Sequence, residues 1–160
     1  MKGRVYFVGT GPGDPELITL KGLRLIQQAD VLIFDHGINP QLLKWVSQKA
    51  EIIKREKFSQ EEVYQLIVER VNDGKSVVVL SEGDPFVFGS GGEAAEYFVS
   101  EKIPFEVVPG LPLATAAPAY AGIPLTHHRL SSSVAVISGI NQNGLNKDPL
   151  AKNIETLIFL

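Results

Sequence analysis

The chain has 160 residues, of which 44% are hydrophobic, enough for one core of ordinary size and part of a second. The net charge is -3 with basic and acidic residues interspersed, and no apolar run approaches the ~20 residues of a membrane span, so we expect no nucleic-acid partner, no membrane association and a cytoplasmic location. There is no cysteine, and the three histidines lack metal-ligand spacing, which disfavours disulfides, thiolate catalysis and metal chemistry.

The first predicted element is a strand at residues 5–8, with no signal-like segment before it. A glycine-rich turn follows, and then a helical pattern with Asp14 as its expected N-cap and Pro15 as its first residue. The turn imitates a dinucleotide-binding fingerprint. However, aspartate stands at position 14, where the third fingerprint glycine belongs, and Pro12 removes an N–H donor that a pyrophosphate would need. Nicotinamide binding is therefore disfavoured.

Strand and helix patterns then alternate along the chain. In order, they are a strand at 31–34, a short helix around 42–46, a strand at 51–54, a helix over 63–71, a strand at 77–80, a helix at 93–100, a strand at 105–108, a helix at 114–121 and a strand at 134–138. Ser59 and Glu62 form a capping box ahead of the second long helix. The pattern predicts an α/β fold, a mostly parallel sheet with helices on both faces.

The stretch at residues 77–92 is the most informative part of the sequence. A β-branched run without polar alternation predicts a strand buried on both faces, and glycines and a proline end it abruptly. In open α/β sheets ligands bind at the carboxyl ends of strands, and glycines allow close approach to the backbone. A lone Gly-Asp-Pro would indicate only a turn. Because a merely connecting loop would be polar, Phe86 and Phe88 are expected to be buried and to form a pocket wall.

The carboxyl-terminal part changes in composition. Asn, Gln, Gly, Lys, Asp and Pro dominate residues 141–153, which predicts an interdomain linker and the most mobile internal segment. Residues 154–160 then begin a new strand. We expect residues 1–140 to form an N-terminal α/β domain whose sheet is complete by residue 138. The strand at 154–160 is then the first of an absent second domain and has no sheet of its own.

Several motifs together resemble a known family. They are Val8-Gly9-Thr10-Gly11-Pro12-Gly13-Asp14-Pro15 with Leu20-Lys21-Gly22, Ala29-Asp30-Val31 with Asp35, Gly83-Asp84-Pro85-Phe86-Val87-Phe88-Gly89 with Gly91-Gly92-Glu93, Ile103-Pro104-Phe105 with Val107-Val108-Pro109-Gly110, and Ala119-Tyr120-Ala121-Gly122-Ile123-Pro124-Leu125-Thr126-His127. The sequence resembles the tetrapyrrole (corrin/porphyrin) methylase family, most closely its uroporphyrinogen-III C-methyltransferases. The match covers nearly the whole chain.

The resemblance implies S-adenosyl-L-methionine-dependent C-methylation of a tetrapyrrole in a cleft between two α/β domains, usually in a homodimer. The expected reaction takes uroporphyrinogen III to precorrin-2, for sirohaem or cobalamin synthesis. By matching position, the residues that contact the cofactor, or its product S-adenosyl-L-homocysteine, are Pro12, Glu82, Gly83, Asp84, Val87, Pro112 and Leu113. The resemblance also implies Asp35 as proton acceptor and Lys57 as proton donor. The alternatives are a loop cap for Asp35 and an ordinary surface lysine for Lys57.

The chain departs from the family's pattern at charged positions. The family commonly has Arg where this chain has His36, Lys where it has Ser81, and Arg where it has Ser90. A substrate with eight carboxylates would bind such cations, so another precorrin or cobalt-precorrin methyltransferase stays open, as does a non-catalytic ligand-binding relic. His127 and His128 are expected to close a turn. Because a cleft enzyme needs both walls, we expect these 160 residues alone to show no methyl transfer.

Overall fold

The computed structural model describes residues 3–141, 144–145 and 154–160. A first compact unit ends at Pro112 and a second begins at Leu113. Most of the predicted linker, residues 142–143 and 146–153, lies outside the described residues, as does its predicted mobility. The domain limits at residues 140 and 154 therefore stay predictions. No helix of the described residues is long and apolar enough to cross a membrane.

The first unit is a parallel sheet with helices between its strands. Its elements are β1 (Arg4–Gly9), α1 (Leu20–Gln28), β2 (Val31–Phe34), β3 (Glu51–Lys54), α2 (Gln60–Asn72), β4 (Ser76–Ser81), α3 (Gly91–Ser100) and β5 (Phe105–Val108). The five strands lie in the order β3-β2-β4-β1-β5, and every neighbouring pair is parallel. The predicted α/β fold is confirmed, and β2, β3 and β5 have the predicted bounds.

Strand β4 shows why the central run of the sequence has no polar alternation. Val77 and Val79 belong to a core formed with α2 and α3 on one face of the sheet. Val78 and Leu80 belong to a second core on the opposite face, formed with α1. Both faces of the central strand are therefore covered by helices, and each position of the run must be apolar.

The predicted first helix is two elements with two caps. The Asp14 carboxylate accepts the Glu16 N–H at 2.9 Å and caps a 3-10 turn at Pro15–Leu17, not the helix itself. Helix α1 has its own cap, since the Thr19 hydroxyl accepts the Gly22 N–H at 3.0 Å. The apolar spacing runs through both elements, so it does not reveal the break. The predicted capping box of α2 is confirmed, with both of its reciprocal hydrogen bonds present.

The second unit contains α4 (Leu113–Tyr120), β6 (Val134–Ile137), β7 (Ile140–Asn141), β8 (Gly144–Leu145) and β9 (Thr156–Phe159). Strand β6 pairs in parallel with β9, and β7 pairs antiparallel with β8. The assignment of β6 to the first sheet was wrong, and so was the expectation that the last strand lacks a partner. An apolar run indicates a strand but not its neighbour. As expected, His127 closes a turn by two backbone hydrogen bonds with Ser131.

Candidate functional site

The carboxyl ends of the five strands lie along one edge of the sheet, because all the strands are parallel. The loops that begin at this edge contain all but one of the predicted site residues: Pro12 after β1, Asp35 after β2, Lys57 after β3, Glu82, Gly83, Asp84 and Val87 after β4, and Pro112 after β5. Leu113 is the first residue of the second unit. The sheet topology thus collects residues that are far apart in the sequence.

Four glycines form what we call the glycine junction: Gly9, Gly11, Gly83 and Gly110. The backbones of Gly11 and Gly83 exchange two hydrogen bonds, of 3.2 and 2.8 Å, which join the loops after β1 and β4. A Cβ atom on Gly110 would lie 2.0 Å from the Gly83 carbonyl oxygen, and one on Gly9 would lie 2.6 Å from it. The ends of three strands therefore touch through backbone atoms at a spacing that excludes side chains.

Asp84 holds the glycine junction together from one side. The residue is only 9% exposed. Its Oδ1 accepts the Phe86 N–H at 2.8 Å, and its Oδ2 accepts the Gly110 N–H at 3.1 Å. The carboxylate thus shapes its own loop and fastens it to the loop after β5. The role of Asp84 as a cofactor ligand stays a prediction, and the structure gives its two oxygens partners within the protein.

A cleft of ≈ 210 Å³ opens at the same edge. Three of the predicted site residues, Asp35, Glu82 and Val87, lie together in its wall. The full lining comes from β4 and from the loops after β2, β3 and β4: Asp35, His36, Gly37, Ile38, Arg55, Leu80, Ser81, Glu82, Val87, Phe88, Gly89 and Ser90. Charged and polar side chains therefore share this wall with apolar ones.

The expectation of two buried aromatic side chains was wrong. Phe86 is 54% exposed and Phe88 is 58% exposed, although Phe88 borders the cleft. The loop is tightly folded: the Gly91 N–H donates to the Pro85 carbonyl oxygen at 3.0 Å, and a Cβ on Gly91 would lie 2.4 Å from that oxygen. Here glycine permits a close turn of the loop, and the rings remain on its outside.

Asp35 and His36 form a coupled pair in the cleft. Asp35 Oδ1 accepts the His36 backbone N–H at 2.8 Å and lies 2.9 Å from His36 Nδ1. Hydrogen bonds from His36, chiefly the backbone one, and the charge of Arg55 hold the pKa of Asp35 below its ordinary value. Asp35 is half exposed, with 46% of its side chain accessible. It is therefore an ionised, accessible carboxylate at neutral pH.

His36 has the opposite shift. Its hydrogen bond and charge interaction with Asp35, followed by the charges of Glu56 and Glu82, raise the pKa of His36 above its ordinary value. Ligand-type atoms of Asp35, His36 and Glu56 lie within 4.8 Å of one another, a grouping that the sequence spacing of the histidines did not indicate. The interactions of His36 with two carboxylates account for this grouping.

Arg55 is the cleft residue that sequence reasoning missed. It lines the cleft, whereas Lys57 is exposed and does not. Arg55 Nη1 lies 3.5 Å from Ser90 Oγ, and Nη2 donates to Gln60 Oε1. The basic segment after β3 was a visible signal. The 3-10 turn Arg55–Lys57 determines which of its cations faces the cleft.

Comparisons with known proteins identify relatives over almost the whole sequence. The sequence profile of the family described as Tetrapyrrole (Corrin/Porphyrin) Methylases matches residues 4–160. A uroporphyrinogen-III C-methyltransferase of Priestia megaterium is 47% identical over 165 residues, which cover 97% of this chain and 69% of the relative. One from Methanocaldococcus jannaschii is 48% identical over 145 residues, covering 87% and 60%. The chain thus spans part of the length of each relative.

Two solved structures share the fold. Uroporphyrin-III C-methyl transferase from Thermus thermophilus, complexed with S-adenyl homocysteine, has a TM-score of 0.79 and 37% identity, covering 99% of this chain and 65% of that one. A cobalt precorrin-4 methyltransferase has a TM-score of 0.89 and 33% identity, covering 98% and 68%. Both likenesses run over nearly the whole of this chain.

Proposed function

The chain belongs to the tetrapyrrole (corrin/porphyrin) methylase family, and we propose that it is the amino-terminal part of an S-adenosyl-L-methionine-dependent C-methyltransferase that converts uroporphyrinogen III to precorrin-2. The observation that carries the proposal is the cleft, which holds an ionised Asp35 next to the loop after β4 in a chain 47% identical to such an enzyme. The proposed pathway is the synthesis of sirohaem or cobalamin.

The residues at the sheet edge suit the proposed cofactor. Val87 offers a half-exposed apolar surface for an adenine ring, and the Glu82 carboxylate can accept hydrogen bonds from hydroxyl or ammonium groups. Gly83 has a positive φ of 57° and presents backbone without a side chain. When bound, the cofactor supplies an electrophilic methyl group on sulfur. Contacts from Pro12, Asp84, Pro112 and Leu113 stay predictions from the resemblance.

We assign proton uptake to Asp35. Methylation of an electron-rich pyrrole carbon ends with loss of a proton from the substrate, and an ionised carboxylate in the cleft can receive it. The hydrogen bonds of Asp35 within the described residues use Oδ1, which leaves Oδ2 for this role. The same contacts make Asp35 a loop cap, so the two interpretations of the sequence are compatible. Proton donation by Lys57 stays a prediction, without support from the cleft lining.

We further propose that the full-length protein is a cytoplasmic homodimer with a tetrapyrrole substrate and no nucleic-acid partner. The support is the family membership together with the interspersed charges of the sequence. Light scattering after size-exclusion chromatography measures the oligomeric state. A monomer at micromolar concentration would contradict the dimer.

A second candidate is methylation of a cobalt-precorrin. It is favoured by the higher TM-score of the cobalt precorrin-4 methyltransferase, 0.89 against 0.79, and by the replacement of expected cations at His36, Ser81 and Ser90.

One assay separates the candidates. The full-length protein is supplied with S-adenosyl-L-methionine carrying a labelled methyl group and with either uroporphyrinogen III or cobalt-precorrin-4. Transfer of label to uroporphyrinogen III, with two methyl groups added in the product mass, supports the first candidate. Transfer only to the cobalt-precorrin would replace it with the second, and transfer to neither would support the relic interpretation.

A further inference from the structure

We propose that Arg55 is a specificity-determining residue of the cleft that binds a carboxylate of the tetrapyrrole substrate. The inference rests on the proposed function for the identity of the substrate. Among the described residues that line the cleft, Arg55 is the only arginine or lysine. Guanidinium groups bind carboxylates through paired hydrogen bonds, which makes arginine the appropriate side chain for this ligand chemistry.

The charges around the cleft require such a cation. Asp35 and Glu82 are acidic members of the lining, and both repel a substrate that carries carboxylates. Arg55 has the opposite charge and is not neutralised by either carboxylate, because no ion pair within 4.0 Å among the described residues involves Arg55. By contrast, Arg70 is paired with Glu51 at 2.8 Å. The charge of Arg55 is therefore available to a ligand.

Arg55 is also held in place before any ligand arrives. It follows β3 in a 3-10 turn and is half buried. Its side chain lines a second, smaller cavity of ≈ 20 Å³ together with Val63 and Tyr64 of α2. Gln60 and Ser90 contact two different nitrogens of the guanidinium. An arginine that is fixed in this way loses less rotamer freedom on binding than one in solvent.

The contact with Ser90 places the Arg55 head group beside the loop after β4. Arg55 Nη1 lies 3.5 Å from Ser90 Oγ, and both residues line the cleft. A guanidinium at position 90 would therefore begin at the same side of the cleft as the one that Arg55 carries. Ser90 leaves room for the Arg55 head group, and the two positions should be interchangeable for binding.

The test compares Arg55→Ser with Lys54→Ser in the full-length protein. Lys54 is the neighbouring exposed cation outside the cleft lining, so its variant removes the same charge from the chain. Arg55→Ser should raise the KM for uroporphyrinogen III at least tenfold, as expected from loss of a charge-assisted hydrogen bond. Affinity for S-adenosyl-L-homocysteine should stay within about twofold, and Lys54→Ser should resemble the wild type. An unchanged KM in Arg55→Ser would overturn the proposal.

The double variant Arg55→Ser/Ser90→Arg separates a binding role from a structural one. It should recover most of the lost affinity if the cleft needs a guanidinium and not specifically residue 55. A folded double variant as weak as Arg55→Ser would overturn the expectation that positions 55 and 90 are interchangeable.

Fluorescence titration with uroporphyrin III, which needs no turnover, is run on every variant. Wild-type binding that is lost in Arg55→Ser supports the role of Arg55 even if methyl transfer is absent, which would refute only the proposed function. Equal binding by the wild type and Arg55→Ser refutes the role of Arg55. A wild type that binds no uroporphyrin III refutes both.

Discussion

The glycine junction and the cleft lie at the same edge of one sheet but are built in different ways. In the junction, backbone atoms of Gly9, Gly83 and Gly110 occupy the space that side chains would need, and hydrogen bonds between loops fix it. In the cleft, half-exposed charged side chains such as Asp35 and Arg55 face a volume of ≈ 210 Å³. Close packing of backbone atoms, which excludes side chains, defines the glycine junction. Charged side chains define the cleft.

The difference teaches which changes each region tolerates. A substitution in the junction forces backbone to move and should cost folding stability first. A substitution in the cleft alters charge at an accessible position, and should change ligand affinity or turnover while the fold survives. The two regions thus give opposite expectations for the same pair of measurements, unfolding and kinetics.

The largest expected effect is that of Gly110→Ala. Its Cβ atom would lie 2.0 Å from the Gly83 carbonyl oxygen and 2.7 Å from the Gly9 backbone, so neighbouring backbone must shift. We expect a loss of about 3 kcal/mol of stability in denaturant unfolding. Gly92→Ala is the matched control, because nothing lies within 4 Å of its Cβ position in α3, and it should stabilise by ~0.5–1 kcal/mol. Equal unfolding midpoints for the two variants would contradict the idea that the glycine junction is sensitive to an added side chain.

Asp35→Asn should show the reverse pattern. It keeps the shape of a half-exposed cleft residue but removes the group assigned to proton uptake. We expect turnover with uroporphyrinogen III to fall about 100-fold, with a small change in the unfolding midpoint and in S-adenosyl-L-homocysteine affinity. If turnover stays at the wild-type level, Asp35 is only the cap of its loop.

The elements of the fold that local sequence patterns define were predictable. Strand pairings between segments that are distant in the sequence were not. Strand β2 was predicted to the residue, because its apolar run and its flanking polar residues define it locally. The pairing of β6 with β9 joins segments whose apolar runs carry no information about each other. The break before α1 was also hidden, since Thr19 supplies a second cap inside one continuous apolar pattern.

The site divides along the same line. The loop after β4 was found from its glycines and its place after a buried strand, and its residues Glu82 and Val87 do line the cleft. Arg55 was missed because a 3-10 turn determines which cation faces inward. The exposure of Phe86 and Phe88 was missed because the glycines of their loop were expected to make room for a ligand. In the structure these glycines permit a tight turn instead, and both rings remain exposed.

Asp84→Asn tests a residue that contacts the glycine junction and is also a predicted cofactor ligand. Each carboxylate oxygen accepts one backbone N–H. The asparagine amide has a single accepting oxygen, so its NH2 group would face the other backbone N–H, and two donors would meet. Because the site is nearly buried, we expect a loss of ~1–3 kcal/mol of stability in denaturant unfolding. Weaker S-adenosyl-L-homocysteine binding at unchanged stability would instead make Asp84 a cofactor ligand and place it functionally with the cleft.

The smallest expected effect is a pH dependence that belongs to the cleft alone. Asp35, Glu56 and Glu82 face His36 and raise the pKa of its imidazole, while Arg55 is the nearby cation of the lining. Below about pH 6.5 more than half of even an unperturbed imidazole is protonated. Because its pKa is raised, His36 stays cationic to higher pH and loses its charge as the pH rises through that pKa. The KM for a carboxylate-bearing substrate should therefore be lowest on the acid side and rise about two- to fivefold as His36 is deprotonated.

Two variants of His36 sharpen that expectation. His36→Gln should give the higher KM at every pH in this range, and His36→Arg should give the lower one, so both profiles should be flat where the wild type changes. Because His36 is exposed and outside the glycine junction, neither variant should move the unfolding midpoint by more than a small amount. A wild-type slope that persists unchanged in His36→Gln would assign the titration to another group. Arg55 would then remain as the proposed substrate-binding cation, without a contribution from His36.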